Sequence, residues 1–368
     1  MTEQHIHKDI GKDIKWADIT LAFIRKDLPQ SEVEFAGEVP ADVVAKYRDE
    51  ALAHIAGELE LPGFRKGHVP ADIALKKVGE IALLEESVEV LVRDFYPALM
   101  LAHNIDAVGR PNISITKLAP GSPVGLTVRT AFYPAVEIPT DWKDIASKTP
   151  LEPAAPATEE EVDKTLEDLR KSRALPPVAP AVEGEVAVPA ATEPVLPELN
   201  DTFAKSLGAF ETVDELKAQI KKGIGEEKER AAKDARRGKI IDQLLEKTQV
   251  AVPAIFVESE LDKIMGQMRE DVARFGMSFE QYLKQVNKTE DAVRADFYEQ
   301  GAKRAKLQLV LNKLAADEKI EAEQTAVDAE MKHAVEHFPE ANLELLKIHI
   351  ETVLRNELVL KMLEGEIK

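Results

Sequence analysis

The 368-residue sequence contains no cysteine, and that absence removes both a disulfide framework and any thiolate metal site. It fits a protein kept in a reducing cytosol. The N-terminal stretch from Met1 to Lys15 mixes Glu3, Asp9 and Asp13 with lysines and histidines and has no apolar core, so it reads as neither a secretory signal nor a membrane anchor. No glycine-rich phosphate loop is present, and the scarce serines pair with no His and Asp in a nucleophile motif. Positive charge is also in deficit: 48 Lys and Arg stand against 67 Asp and Glu, a net of −19. That balance argues against a general nucleic-acid binder, because phosphate backbones would repel the chain at long range.

What is present is a chain long enough for two or three domains, with an ordinary 44% of hydrophobic residues. One short stretch breaks the acidic pattern. Residues 63 to 70 read Gly-Phe-Arg-Lys-Gly-His-Val-Pro, and from Gly63 to Lys77 four cations, Arg65, Lys66, Lys76 and Lys77, face only Asp72. The turn lies between two helix-forming stretches. Gly63 and Gly67 permit backbone angles barred to other residues and Pro70 fixes the start of the next helix, so Phe64, Arg65 and Lys66 are held outward together. An aromatic beside two cations suits a surface that is part phosphate and part protein. This is a docking tip rather than a reaction centre.

Around this tip the patterning predicts a small α+β domain. The runs Ile19–Ile24 and Ser31–Phe35, joined through Leu28-Pro29-Gln30, read as strands. Pro40 and Asp42 open a helix carrying Val44, Tyr47, Leu52 and Ile55. After the tip, a second helix carries Leu83, Val90, Leu91 and Phe95 towards Pro97. Strands at Asn112–Thr116 and Gly125–Phe132 close the unit across a turn at Ala119–Pro123. Residues 150 to 197 then hold nine of the 21 prolines, interrupted by a helix whose Thr158 and Glu161 form a capping box ahead of Val162, Leu166 and Leu169. Leu175 to Pro197 reads as an extended, semi-rigid linker.

From Asn200 onward the chain is helical in pattern. Thr212 and Glu215 form a second capping box, and a charged helix runs through Glu226 to Lys247. Val257, Leu261, Ile264, Met265, Met268, Val272 and Phe275 follow at three-and-four spacing until Gly276. Ser278 and Gln281 cap a short helix. A further helix carries Val293 to Leu314, and Leu343 to Leu358 form a final amphipathic one. Each stripe taken alone is explained by core packing. Their number and short breaks suggest arm-like helical hairpins whose apolar flanks face a cavity.

The octapeptide resembles the ribosome-docking signature of trigger factor, Gly-Phe-Arg-x-Gly-x-x-Pro, and matches it at Gly63, Phe64, Arg65, Gly67 and Pro70. Further segments are similar to the same family in order: Thr158 to Ala174, Pro197 to Phe203, Val252-Pro-Ala254 with Glu258-Ser-Glu260, Gly276 to Leu283, and Ala302-Lys-Arg304. The resemblance implies a ribosome-binding domain over residues 1–137 and a linker with the first helix of the chaperone body over 138–174. It also implies a Pro-rich linker over 175–197 and a helical C-terminal chaperone domain over 198–368. In typical members an FKBP-type prolyl isomerase domain separates the entering helix from the returning segment. Here only Leu175 to Leu196 fills that interval, too short for an independent core and without the aromatics of such a pocket, so isomerase activity is expected to be absent.

The function so implied is an ATP-independent, cytoplasmic chaperone without cofactor or catalytic residues. It would dock on the large ribosomal subunit at the tunnel exit through ribosomal protein and RNA phosphate, and hold nascent or unfolded polypeptides. A homodimer when free and the absence of a membrane partner belong to the same expectation. Met265, Met268, Phe275, Met277 and Phe279 are the candidate client contacts. Two rival readings are a ribosome-independent peptide-binding holdase and a zinc peptidase built on His333, Glu336 and His337. The second lacks a third ligand and an enclosing domain, and Phe338-Pro339 breaks its helix at once, so two solvated histidines are the simpler reading and no metal is expected.

Overall fold

In a computed structural model of the chain, the residues described are 10–65, 67–174 and 196–367. The Pro-rich linker is therefore almost wholly outside the described residues, as is Lys66. The chain forms two compact units, one of residues 1–137 with 248–313 and the other of residues 138–247 with 314–368. The helical region expected after residue 198 is thus shared between them.

The first unit is built on a four-stranded antiparallel sheet, β1 (Ile24–Leu28), β2 (Glu32–Val39), β3 (Ala107–Lys117) and β4 (Val124–Phe132), in the spatial order β1-β2-β4-β3. Period-two alternation sends Val33, Phe35 and Val39 of β2 and Val124, Leu126 and Val128 of β4 to one buried face. There they meet Leu83, Val88, Leu91, Phe95 and Leu99 of the helix Ala71–Ala102 in a single core. The opposite face is polar. Glu32 pairs with Arg129, and Glu38 lies 2.8 Å from Lys117.

The order of elements along the chain and the α+β class match the sequence reading, with three local differences. The expected strand at residues 19–24 is instead a short helix, Trp16–Thr20, and β1 starts at Ile24. Trp16, Ile19 and Phe23 have helical spacing and point into the core, where the Phe23 and Phe95 rings sit 5.0 Å apart. The true edge strand is charged and exposed and so carries no hydrophobic alternation. The helix opened by Pro40 is broken into Ala41–Ala45 and Arg48–Glu58, with Tyr47 fully buried at the join. The helix expected to stop near Pro97 continues through it to Ala102, because Leu99 and Met100 are buried beyond the proline and their packing offsets the lost hydrogen bond.

The same unit carries the helices Ala254–Arg274, Phe279–Gln285 and Glu290–Asp296, and the helix Tyr298–Asp317 as far as Lys313. The run expected as one helix from Val293 is two, parted at Phe297. Val257, Leu261 and Ala305 form the core of this hairpin, and Arg294 bridges Glu258 and Asp262 across its outside. It is tied to the sheet region by backbone pairing of Glu137 with Gln249 and by the Ser31 hydroxyl donating to the Ala251 carbonyl at 2.9 Å.

Among its described residues, the regular structure of the second unit is all helical. Its longest element, Val213–Lys247, spans about 50 Å at 1.5 Å per residue. Both halves of the Thr158/Glu161 box form on the helix Glu159–Ser172, whose Val162 and Leu166 pack on Ala204 and Leu216. At Val213 only half of the expected box is made: Thr212 accepts the Glu215 N–H, but the Glu215 carboxylate takes the Glu211 N–H instead. Arg237 reaches both Glu357 and Glu364 at the end of the last helix, Leu343–Leu363, and these carboxylates hold the guanidinium more firmly protonated than usual. No helix among the described residues is long and apolar enough to cross a membrane.

Candidate docking tip and apolar groove

The octapeptide occupies the connection between Arg48–Glu58 and Ala71–Ala102. Gly63 and Gly67 have φ of 94° and 80°, left-handed values that a side chain at either position would oppose. Two tight turns set the loop, with the Phe64 N–H donating to the Leu61 carbonyl at 3.1 Å and the His68 N–H to the Arg65 carbonyl at 3.0 Å. Val69 is buried and anchors the loop from below, and Pro70 caps the next helix with its carbonyl accepting from Ile73 and Ala74. Above that anchor Phe64 is 39% exposed, and Arg65, Gly67 and His68 are exposed with it. The tip thus presents an aromatic face and a guanidinium to solvent. A single exposed apolar side chain is ordinary on a protein surface, so what sets this tip apart is the pairing of the ring with a cation on a glycine-set turn.

The second feature is a groove of about 560 Å³ on the hairpin of the first unit. Ile264, Met268, Val272 and Phe275 line it from Ala254–Arg274, and Met277, Tyr282 and Val286 close it from the next turn and helix. Gln267, Asp271, Gln285 and Arg304 supply a polar rim. Phe275 follows the last residue of the helix and is 86% exposed. Of the five residues singled out by sequence, Met268, Phe275 and Met277 line this groove. Met265 does not: it is fully buried, on the side of the helix turned to the hairpin core, and its side chain is unavailable to a client in this conformation. Phe279 stands outside the groove, stacked on Tyr282 at 6.0 Å with the Arg269 guanidinium 5.2 Å from its ring. Ile264 and Val272 belong to the stripe that core packing alone explains, and Tyr282 and Val286 come from the short helix capped by Ser278. Only a neighbour's absence distinguishes a groove wall from a core.

The His333 and His337 rings lie edge to face, 4.7 Å between centroids, on a helix that ends at His337. Among the described residues no three His, Asp or Glu side chains gather in a way that could hold a metal ion.

Two family descriptions match the chain: the bacterial trigger factor protein over residues 23–169, and the bacterial trigger factor C-terminus over residues 212–365. The chain belongs to the trigger factor family. It is 24% identical to the trigger factor of Caldanaerobacter subterraneus subsp. tengcongensis across 88% of this chain and 91% of that protein. To the trigger factor of Cutibacterium acnes it is 26% identical, across 81% of this chain and 69% of that one. A solved trigger factor chaperone, described for promiscuous substrate recognition in folding and assembly, shares the fold with a TM-score of 0.52 at 20% identity. That likeness covers 94% of this chain and all of the other.

Proposed function

We propose that the chain is an ATP-independent, ribosome-associated chaperone of the cytoplasm that holds nascent and unfolded polypeptides and has no isomerase activity. The observation that carries this reading is the exposed tip at Phe64 and Arg65, set on a rigid α+β core in a chain of this family. Arg65 and Lys66 would meet acidic side chains or RNA phosphate of the large subunit near the tunnel exit, and Phe64 an apolar recess. The groove on the hairpin would take the client. Burying one large apolar side chain there contributes about 1.5–3 kcal/mol, short of the roughly 4 kcal/mol of even a millimolar complex. Holding therefore needs several such contacts at once. It remains in fast exchange, which suits release without nucleotide.

The test is co-sedimentation with ribosomes. Simultaneous substitution of Phe64, Arg65 and Lys66 by alanine is expected to abolish association while suppression of aggregation is largely retained. Association that survives the triple change removes the docking reading. The isomerase part rests on the short interval at residues 175–196, and a prolyl-peptide assay at high protein concentration is expected to stay at background. Turnover above background would overturn it.

A further inference from the structure

The helix Ala71–Ala102 is two helices joined at Gly79, whose φ of 85° and ψ of 166° lie in a region open essentially to glycine alone. The first, residues 71–78, carries the docking loop at its start and is seated by Ala74, fully buried, and Leu75. The second begins at Glu80 and runs into the core. Beside the break, the Arg48 guanidinium forks onto Glu80, with contacts of 2.7 and 2.9 Å to the two carboxylate oxygens. Arg48 opens the helix that leads up to the docking loop. The fork therefore closes the base of the whole excursion from residue 48 to residue 80.

We propose that Gly79 and the Arg48–Glu80 clasp are positioning residues for docking: the glycine turns the tip helix away from the core helix, and the clasp fixes the angle of that turn. This rests on the docking reading given above. Both partners of the clasp are exposed, so its stabilising value is small. Its bidentate geometry instead restricts direction, which a single point contact would not do. The Arg48 hydrogen bond holds the Glu80 carboxyl below its ordinary range, which keeps the fork charged on both sides well into acid. A Cβ at Gly79 would meet no atom within 4 Å. Gly79→Ala is therefore opposed by backbone conformation alone, and relief of that strain shifts the tip helix on its seat at Ala74 and Leu75 while the sheet and the helix from Glu80 stay packed.

The experiment uses the full chain, whose lack of cysteine makes introduced thiols the only labelling sites. Spin labels at Asp72→Cys and Glu89→Cys report the distance between tip helix and core helix. With Gly79 and Arg48 intact, one narrow distance is expected. Gly79→Ala should shift it, and Arg48→Ala should broaden it. A variant that holds the docking orientation one tenth of the time has an apparent dissociation constant about tenfold higher, and that weakening in ribosome co-sedimentation is the expected result for Gly79→Ala. The thermal midpoint should stay near that of the unmodified chain. Wild-type affinity in both variants overturns the proposal, as does weak binding with an unshifted distance. The alanine triple at Phe64, Arg65 and Lys66 is run alongside. If the triple loses binding and the hinge variants keep it, only the hinge falls; if the triple keeps binding, docking and hinge fall together.

Discussion

The Tyr47 hydroxyl donates a 2.7 Å hydrogen bond to the Asp94 carboxylate, joining the bend between two helices to the core helix 80–102. Tyr47 is fully buried and Asp94 half-buried. Burial first, then the hydrogen bond to Asp94 and its charge, push the phenol well above its ordinary pKa of 10. The bond thus holds one of the places where the polypeptide departs from the sequence expectation, the break between Ala41–Ala45 and Arg48–Glu58.

Tyr47→Phe keeps the ring and removes the donor, leaving the carboxylate one partner short. Hydrogen bonds to charged groups contribute about 1.5–3 kcal/mol, and urea unfolding should register a loss of about 2 kcal/mol. The linkage sign follows from the raised pKa. The contribution is complete below the ordinary tyrosine value and is lost as pH rises above 10, when the unfolded phenol ionises first. Above pH 10 the gap between the original chain and the variant should therefore narrow.

Phe275→Ser tests the groove without testing the fold. The ring is 86% exposed, so unfolding free energy should change by no more than about 0.5 kcal/mol. Light scattering of a denatured client after dilution should show weaker suppression of aggregation, and weaker still when Met268 and Met277 are also changed to serine. Suppression by both variants equal to that of the unmodified chain would remove the groove from the client surface.

Glu161 closes a capping box and also accepts from Lys228, at 2.6 Å. The Lys228 hydrogen bond and the Thr158 backbone N–H hold its carboxyl down at about 2. A depressed carboxyl stabilises the fold above its ordinary value of 4.5, and the effect is lost as pH falls from there towards 2. Glu161→Gln should flatten the acid limb of stability between those values, read by circular dichroism at stepped pH.

Much of this was legible in the primary sequence because local signals agreed with tertiary demand. The capping residues Thr158 and Ser278 start helices as expected, and β2 and β4 alternate because one face is buried. Phe64 and Arg65 were expected outward, and both are exposed. The failures share a cause. β1 is a charged edge strand with no buried face to pattern it, and Pro97 is carried inside a helix by the packing of Leu99 and Met100. Met265 and Met268 belong to one stripe, yet one is sealed in the hairpin core and the other lines the groove. Periodicity gives the direction of a side chain, not what stands opposite it.

A chain that keeps Phe275 open to water has to solve a colloidal problem before it can serve any client. The same property that would admit an unfolded segment under the proposed function would admit another copy of the hairpin. Its net charge of −19 answers this by mutual repulsion, acting over about the 8–10 Å through which charges are felt in physiological salt. Near pH 5.0, where the sequence carries no net charge, that repulsion vanishes while the apolar groove remains. The acidity spread across the polypeptide is thus the counterpart of its stickiness: it lets a sticky surface stay dispersed.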